Sequence, residues 1–516
     1  MRRAARALAA IFVAGCAARR APAPLSPEVR SLTAELDSAF AGPEWARAQW
    51  GVVVQSLTNG QVLYRRNAEH LFMPASNQKI LTGSVALARL GADYRFKTTV
   101  LARGTRHGDT LSGDLVVIGH GDPGISQHVT GGADILASLR PWADSVRARG
   151  IRVVTGRVLG DASWFEGPVL GEGWMWDDLE DPSSAPVGAL QFNEGFAVVE
   201  VTPGAVPGDT ARVRLRPTDA PLRVFSQVVT APRDSSINSV HYSRAFYTDS
   251  VMITGRLSAG RAPRTLSVSI TDPTRYFENA LAQVLRESGV AVLGPRVPPA
   301  QTIVPISTTG SAPRSPLLQD GTAPSRPLAD DSLFTWQSIP LRDLMPFFEK
   351  PSQNQIGEAL LRTLGGELRR VASVDSGRAV IKETLTSWGI PEDAYVYVDG
   401  SGLSRYNYVA PDAIGQVLVS IARHPDFDVF YQALPIAGVD GTIANRLRGT
   451  AAQGNAHAKT GSISNARSLS GYVTTADGER LVFVLLCNHF TVGNRIVERV
   501  QDHVVERLAN FTRQRR

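Results

Sequence analysis

Ser76-Asn77-Gln78-Lys79, running straight into Ile80-Leu81-Thr82-Gly83-Ser84-Val85-Ala86-Leu87 and stopped after Leu90 by Gly91, is the stretch on which the fold turns. Ile80, Leu81, Leu87 and Leu90 recur at helical spacing, and Gly91 is a helix stop. If Ser76 opens that helix, a residue three further on lies on the same face one turn up. That sets the amine of Lys79 beside a hydroxyl, at a helix end whose free N–H groups suit a developing oxyanion. Serine is a weak nucleophile until a base removes its proton. Lysine can be that base only if burial or a second cation lowers its pKa. Alone the pattern is weak, because Ser-x-x-Lys also arises by chance with a solvated surface lysine.

The scarcity of lysine strengthens it. Lys79, Lys97, Lys350, Lys382 and Lys459 are all the lysines in 516 residues, and arginine carries the rest of the positive charge. Arginine stays protonated and cannot act as a base, so a retained lysine invites a chemical reason. Lys350 precedes Ser352-Gln353-Asn354, and Lys459 opens Lys459-Thr460-Gly461-Ser462. The latter is followed by two strand-like runs and reads as part of a strand lining a cleft. Its cation and hydroxyls suit a carboxylate, and Gly461 lets a substrate backbone approach. The bland alternative is a strand end with a turn glycine. Ser352-Gln353-Asn354 stands before the helical run Ile356 to Leu364, and taken alone it is a helix cap.

Outward from these motifs the two ends of the chain match in kind. Glu28 to Phe40 reads as a helix, then Gly51 to Val54 and Gln61 to Tyr64 flank the hairpin signal Asn59-Gly60. At the far end Leu469 to Thr475 and Leu481 to Asn488 read as strands around Ala476-Asp477-Gly478, followed by a helix from Arg495 to Phe511. One sheet built from both termini is expected. From about 96 to 300 the texture changes to short β-like runs, such as Asp114 to Ile118, Val153 to Leu159, Ala197 to Val201 and Leu266 to Ile270, with one clear helix from Pro273 to Ser288. Ser307 to Asp331 is crowded with Ser, Pro, Gly and Thr, and reads as a flexible connection.

Composition bounds the rest. A chain 43% hydrophobic and 20% charged, without long charge blocks, is folded over most of its length. A net charge of +6, with no basic run in the body, argues against nucleic acid. Cys16 and Cys487 cannot make a disulfide framework, and Cys487 reads as a buried strand thiol. Arg2, Arg3 and Arg6 precede the apolar run Ala7 to Ala14, which ends in Gly15-Cys16. This resembles a bacterial lipoprotein signal over residues 1–15, with Cys16 as the lipidated first residue; the alternative is an ordinary signal peptide cut near Ala17 or Ala18. Either exports the protein to the periplasm or cell envelope.

The three motifs, in this order, match the set found in serine penicillin-recognising enzymes. Asp399-Gly400-Ser401-Gly402-Leu403-Ser404-Arg405 and Leu434-Pro435-Ile436-Ala437-Gly438-Val439-Asp440-Gly441-Thr442 agree as well, as do Gly121-Asp122-Pro123, Asp161 to Phe165 and Gly173-Trp174-Met175-Trp176. Over nearly the whole mature chain the sequence closely resembles the D-alanyl-D-alanine carboxypeptidase/endopeptidases, the class C low-molecular-mass penicillin-binding proteins. The 352 − 76 = 276 residues between the first two motifs fit that family, which carries large insertions there.

The resemblance implies an α/β (α+β) fold: a penicillin-binding, β-lactamase-like transpeptidase domain, its antiparallel sheet flanked by helices, with two inserted β-rich domains. The expected boundaries are 28–95 and 332–512 for the catalytic domain, 96–190 and 262–306 for the first insert, 191–261 for the second, and 307–331 for a flexible linker. It implies that Ser76 attacks the carbonyl between two D-alanines of a peptidoglycan stem peptide, with Lys79 accepting its proton. Ser352 and Lys459 would relay a proton to the leaving amine. Asn354 would hold the substrate amide, and Thr460 and Ser462, beside Gly461, would bind the terminal carboxylate. Backbone N–H groups of Ser76 and Ser462 would form the oxyanion hole, and Asp161 would approach substrate from the insert; the alternative for Asp161 is a turn carboxylate capping local backbone. No metal or organic cofactor is implied, and β-lactams would acylate Ser76. Gln353 departs from the family, which usually has Asp there. A β-lactamase or esterase on the same scaffold, and a non-catalytic cell-wall-binding protein, are the alternatives; the long insert and the intact motifs count against them.

Overall fold

The computed structural model describes residues 26–245, 248–295 and 330–513. The leader, Cys16 and most of the expected linker lie outside the described residues.

The region built from the two ends of the chain is a three-layer sandwich. It contains α1 (Pro27–Ala39), β1 (Gln49–Ser56), β2 (Val62–Arg66), α2 (Gln78–Leu90), α3 (Leu341–Glu349), α4 (Asn354–Arg369), α5 (Pro411–Ile421), β3 (His457–Ile463), β4 (Ala466–Thr474), β5 (Arg480–Asn488) and α6 (Asn494–Ala509). The strands form one antiparallel sheet in the order β3-β4-β5-β1-β2, so both chain ends do build a single sheet. The continuous apolar run of β5 follows from its position, because both faces of the sheet are covered. Val482, Val484 and Leu486 join the core under α2, α4 and α5. Leu481, Phe483, Leu485 and Cys487 alternate to the other face, against α1 and α6. Cys487 is buried and unpaired, and burial pushes its thiol well above the usual range.

The inserted region carries its own sheets. A six-stranded sheet runs 291–292, 153–154, 110–119, 97–107 and 330–337, with 158–161 also pairing 110–119. Two three-stranded sheets follow, one from 238–244, 250–258 and 223–231, the other from 264–269, 196–202 and 212–216. These pairings move two expected boundaries. The strand Asp330–Gln337 pairs with Lys97–His107, so it belongs with the insert rather than opening the catalytic segment at 332. The strand Arg264–Ser269 pairs with Phe196–Thr202, across the expected border between the two inserts. Strand propensity is local, whereas the partner is chosen by packing far along the chain. A single core, including Val117, Trp142, Val199, Val268 and Phe277, runs beneath both groups of strands.

Candidate active site

Ser76 does not sit on the α-helix itself but in a 3₁₀ turn, Ala75–Asn77, that leads into α2. Ala75 has φ of 47°, a left-handed conformation that non-glycine residues adopt at a cost of about 1–3 kcal/mol. The surroundings hold it there. The Ser468 hydroxyl donates to Pro74 O at 2.7 Å, and Asn77 Nδ2 donates to Lys459 O at 2.8 Å. A side chain at Gly402, itself at φ 86°, would strike the Ala75 carbonyl oxygen, so only glycine fits this side of the turn. A Cβ at Gly461 would lie 2.9 Å from Ser76 N and 2.6 Å from Pro74 O, which places β3 hard against the serine turn.

Lys79 is completely buried. Its Nζ donates to Ser76 Oγ at 3.0 Å, to Asn354 Oδ1 at 2.6 Å and to Ser401 O at 2.7 Å. Burial first, then the charge of Lys459, lowers its pKa to about 7. Lys459 is also buried, and its Nζ donates to Ser352 Oγ at 2.8 Å and to Thr460 O at 3.0 Å. Burial holds its pKa below the usual lysine range. Ser352 has φ of 66°, and Asn354 Nδ2 donates to Ser183 O at 2.8 Å. Thus Ser76, Lys79 and Asn354 form one hydrogen-bonded group and Ser352 and Lys459 a second, and Asn77 Nδ2, donating to Lys459 O, ties the serine turn to the strand that carries the second.

The outer face of β3 completes the site. Ala437 N donates to Ala456 O and Ala458 N donates to Pro435 O, so these alanines turn their peptide groups away from β4. Strand alternation puts the peptide groups of Thr460 and Ser462 on the same outward side. The Ser462 N–H therefore points off the sheet edge beside the Ser76 turn. Thr460 Oγ1 donates to Thr442 Oγ1 at 2.7 Å, and Ser462 is exposed.

Some parts of the site lie outside the three motifs. Ser401 O is set by the 399–407 loop, whose hub is buried Asp399. One of its oxygens accepts from Gly402 N and Asn407 Nδ2, both at 2.7 Å; the other accepts from Ser404 N at 2.7 Å and Trp174 Nε1 at 2.9 Å. Glu358 Oε1, on α4, accepts from Gly400 N and Ser401 N, each at 3.0 Å. Glu358→Ala strands these two buried N–H groups and removes the carboxylate paired with buried Arg362. A loss of about 3–5 kcal/mol is expected, read as a lowered unfolding midpoint in denaturant. Glu349 is also fully buried, facing Gly83 one turn beyond Lys79 on α2. Burial raises its pKa, and the cations of Lys459 and Lys79 oppose that rise. The sequence signal for it was a carboxylate four residues after Met345, on the apolar stripe of α3.

Asp161 stands apart. It ends the strand Val158–Asp161, and its carboxylate accepts from Ser163 N at 2.9 Å. The following turn packs Trp164 on Gly366 and pairs Phe165 with Ala372, at the far end of α4. Twelve helical residues, about 18 Å, separate Gly366 from Asn354. No hydrogen bond joins Asp161 to the cluster among the described residues. Lys350 is tied to Asp440 at 2.6 Å and to Leu434 O at 3.1 Å, apart from both hydrogen-bonded groups. No cluster of His, Cys, Asp and Glu able to hold a metal occurs among the described residues, nor any helix long and apolar enough to cross a membrane.

The chain is similar to known proteins over most of its length. A D-alanyl-D-alanine carboxypeptidase of Actinomadura sp. (strain R39) is 32% identical over 493 residues, covering 93% of this chain and 85% of that protein. The D-alanyl-D-alanine carboxypeptidase DacB of Haemophilus influenzae is 28% identical, covering 86% of each. The crystal structure of penicillin binding protein 4 from Haemophilus influenzae superposes with a TM-score of 0.72 at 26% identity, covering 93% of this chain and 99% of that one. Residues 32–511 match the model of the D-Ala-D-Ala carboxypeptidase 3 (S13) family, and the chain belongs to that family.

Proposed function

We propose that Ser76 is the nucleophile through which this serine-type D-Ala-D-Ala carboxypeptidase works, and that Lys79 is its base. The observation that carries the proposal is the environment of the Lys79 amine. As an ammonium it has three N–H bonds and three acceptors: Ser76 Oγ, Asn354 Oδ1 and Ser401 O. On losing a proton it keeps two N–H bonds. Asn354 Oδ1 and Ser401 O cannot donate and so retain them, which leaves the lone pair aimed at the Ser76 hydroxyl.

The remaining steps are those the family resemblance implies, and the placement of the groups supports them. Neutral Lys79 takes the Ser76 proton as Oγ adds to the D-Ala carbonyl. The oxyanion lies between the N–H groups of Ser76 and Ser462. The Asn354 side chain steadies the substrate amide, and the proton reaches the departing amine through Ser352 and Lys459. The Lys459 cation, with the Thr460 and Ser462 hydroxyls beside Gly461, holds the carboxylate of the leaving residue. Water then releases the shortened stem peptide. A D-Ala-diaminopimelate cross-link also carries a carboxylate next to the scissile amide, so the same groups serve an endopeptidase reaction. β-Lactams acylate Ser76 as mimics of the amide. The enzyme acts in the cell envelope, anchored through lipid on Cys16.

The test is incubation with labelled penicillin and, separately, with a pentapeptide ending in D-Ala-D-Ala. Covalent label and D-Ala release are expected. Absence of both overturns the proposal, and fast turnover of penicillin without peptide cleavage points to a β-lactamase. A pH series adds a second check. The base works only when deprotonated, so acylation should rise with pH through about 7 and level off above it. At higher pH, below the usual lysine range, carboxylate binding should weaken as Lys459 loses its charge. A rate that is flat from mildly acid to neutral pH would exclude Lys79 as the base.

A further inference from the structure

The second motif departs from its family at Gln353, and the departure has a partner. Gln353 uses both ends of its amide. Oε1 accepts from Gln355 N at 3.1 Å and caps α4, while Nε2 donates to Glu194 Oε2 in the inserted region. Aspartate could accept at the cap but could not donate. Glu194 is only 8% exposed. Its other oxygen accepts from the Ser126 hydroxyl at 2.7 Å and lies 2.7 Å from His128 Nδ1.

The backbone on both sides of this contact is unusual. Asn193, Glu194 and Gly195 have φ of 47°, 55° and 75°, and Ser352 has 66°. Non-glycine residues stay in this region only when their surroundings over-determine it. For the Glu194 loop, Asn193 does so: its N–H donates to Ile125 O at 2.8 Å, its Nδ2 donates to Phe196 O at 3.0 Å, and its Oδ1 accepts from Gln127 N at 3.3 Å. On the other side the next two residues of the motif also reach the insert. Asn354 Nδ2 donates to Ser183 O at 2.8 Å, and Gln355 Nε2 donates to Pro182 O at 3.0 Å. The second motif is thus gripped from outside the catalytic sandwich by three consecutive side chains, and Glu194 is the one charged group in that grip.

We propose that Glu194 is a positioning residue for acylation: through Gln353 it fixes the left-handed turn that delivers Ser352 to Lys459 and Asn354 to Lys79. Gln353 and Glu194 are a matched donor and acceptor, and an aspartate at 353 would set two carboxylates against each other with no proton between them. This rests on Ser76 being the acylated residue.

The test is a charge-swap cycle, read by the rate of covalent labelling with penicillin and by kcat and KM for D-Ala release. Gln353→Asp should slow acylation by about 10- to 100-fold, the effect of an ångström-scale misplacement, mostly in kcat. Adding Glu194→Gln reverses donor and acceptor, and the double variant should regain at least about tenfold of that loss. Unchanged acylation in Gln353→Asp overturns the proposal, as does a loss that Glu194→Gln fails to relieve. If Gln353→Asp does not fold, as judged by thermal unfolding, the cycle is closed with Gln353→Ala and Glu194→Ala; effects that simply multiply overturn the proposal. The wild-type enzyme is the separate control: no labelling there overturns the assignment of Ser76 before the cycle is begun.

Discussion

Replacing Ser76 with alanine is expected to abolish covalent labelling by penicillin and to lower D-Ala release by about 10⁴- to 10⁶-fold, the scale seen when a nucleophile is removed from machinery that acts as a unit. The fold should survive. The substitution removes one oxygen from a half-buried side chain, and Cβ stays in the turn that Ala75, Asn77 and Gly402 already define. What is lost structurally is one of three acceptors around Lys79, worth about 1 kcal/mol. The two outcomes therefore separate cleanly: activity and label disappear while the unfolding midpoint moves little. Intact-mass measurement after penicillin treatment reads the first and thermal unfolding reads the second. Label on the Ser76→Ala variant would move the nucleophile to another residue. D-Ala release without label would mean that hydrolysis proceeds by direct attack of water.

How far this site was legible depended on whether each part has a local signature. The hairpin at Asn59-Gly60 and the continuous apolar run of β5 are set by turn chemistry and two-faced burial, which neighbouring residues determine. Lys79 and Lys459, with Ser76 beside the first, were legible for a chemical reason, whereas Ser352 and Asn354, a helix cap when read alone, were carried by the resemblance. A chain that uses arginine for charge had kept Lys79 and Lys459, and both prove fully buried. Ser401 lay in a stretch that resembles the family, but its role was out of reach, because it contributes a backbone carbonyl and any residue type has one. Gln353 was half legible: its cap to Gln355 is local, but its donor end meets Glu194 from 159 residues away. The strand Asp330–Gln337 was not read from the sequence, and the expected border at 332 cuts through it, since its partner Lys97–His107 lies more than 200 residues earlier. Asp161 was carried by resemblance alone, and the bond it makes is to its own turn.

Lys79→Arg keeps the positive charge and should still cost about 10²- to 10⁴-fold in the rate of acylation, the contribution of a general base. Two separate physical effects drive the loss. Guanidinium stays protonated at any working pH, so it can donate to Ser76 but never accept its proton. The pocket is also the wrong size, because Lys79 has no exposure and its Nζ is fixed by Asn354 Oδ1 and Ser401 O at 2.6 and 2.7 Å. A larger planar head there must displace the Asn354 side chain or the 399–407 loop, at about 1–3 kcal/mol of stability. The pH series tells these apart. If only packing were at fault, the variant would be slow but would keep the rise in acylation through about pH 7. If the base itself has gone, the rise disappears, because nothing at that position titrates. Lys79→Met isolates the remaining contribution. It roughly preserves volume, removes the charge and leaves two buried acceptors without a donor, so it should be as inactive as the arginine variant and less stable than wild type by about 1–3 kcal/mol for each stranded group. A methionine variant that acylates at more than a tenth of the wild-type rate would show that Ser76 loses its proton to some other base, with Lys459 acting through Ser352 as the next group in reach.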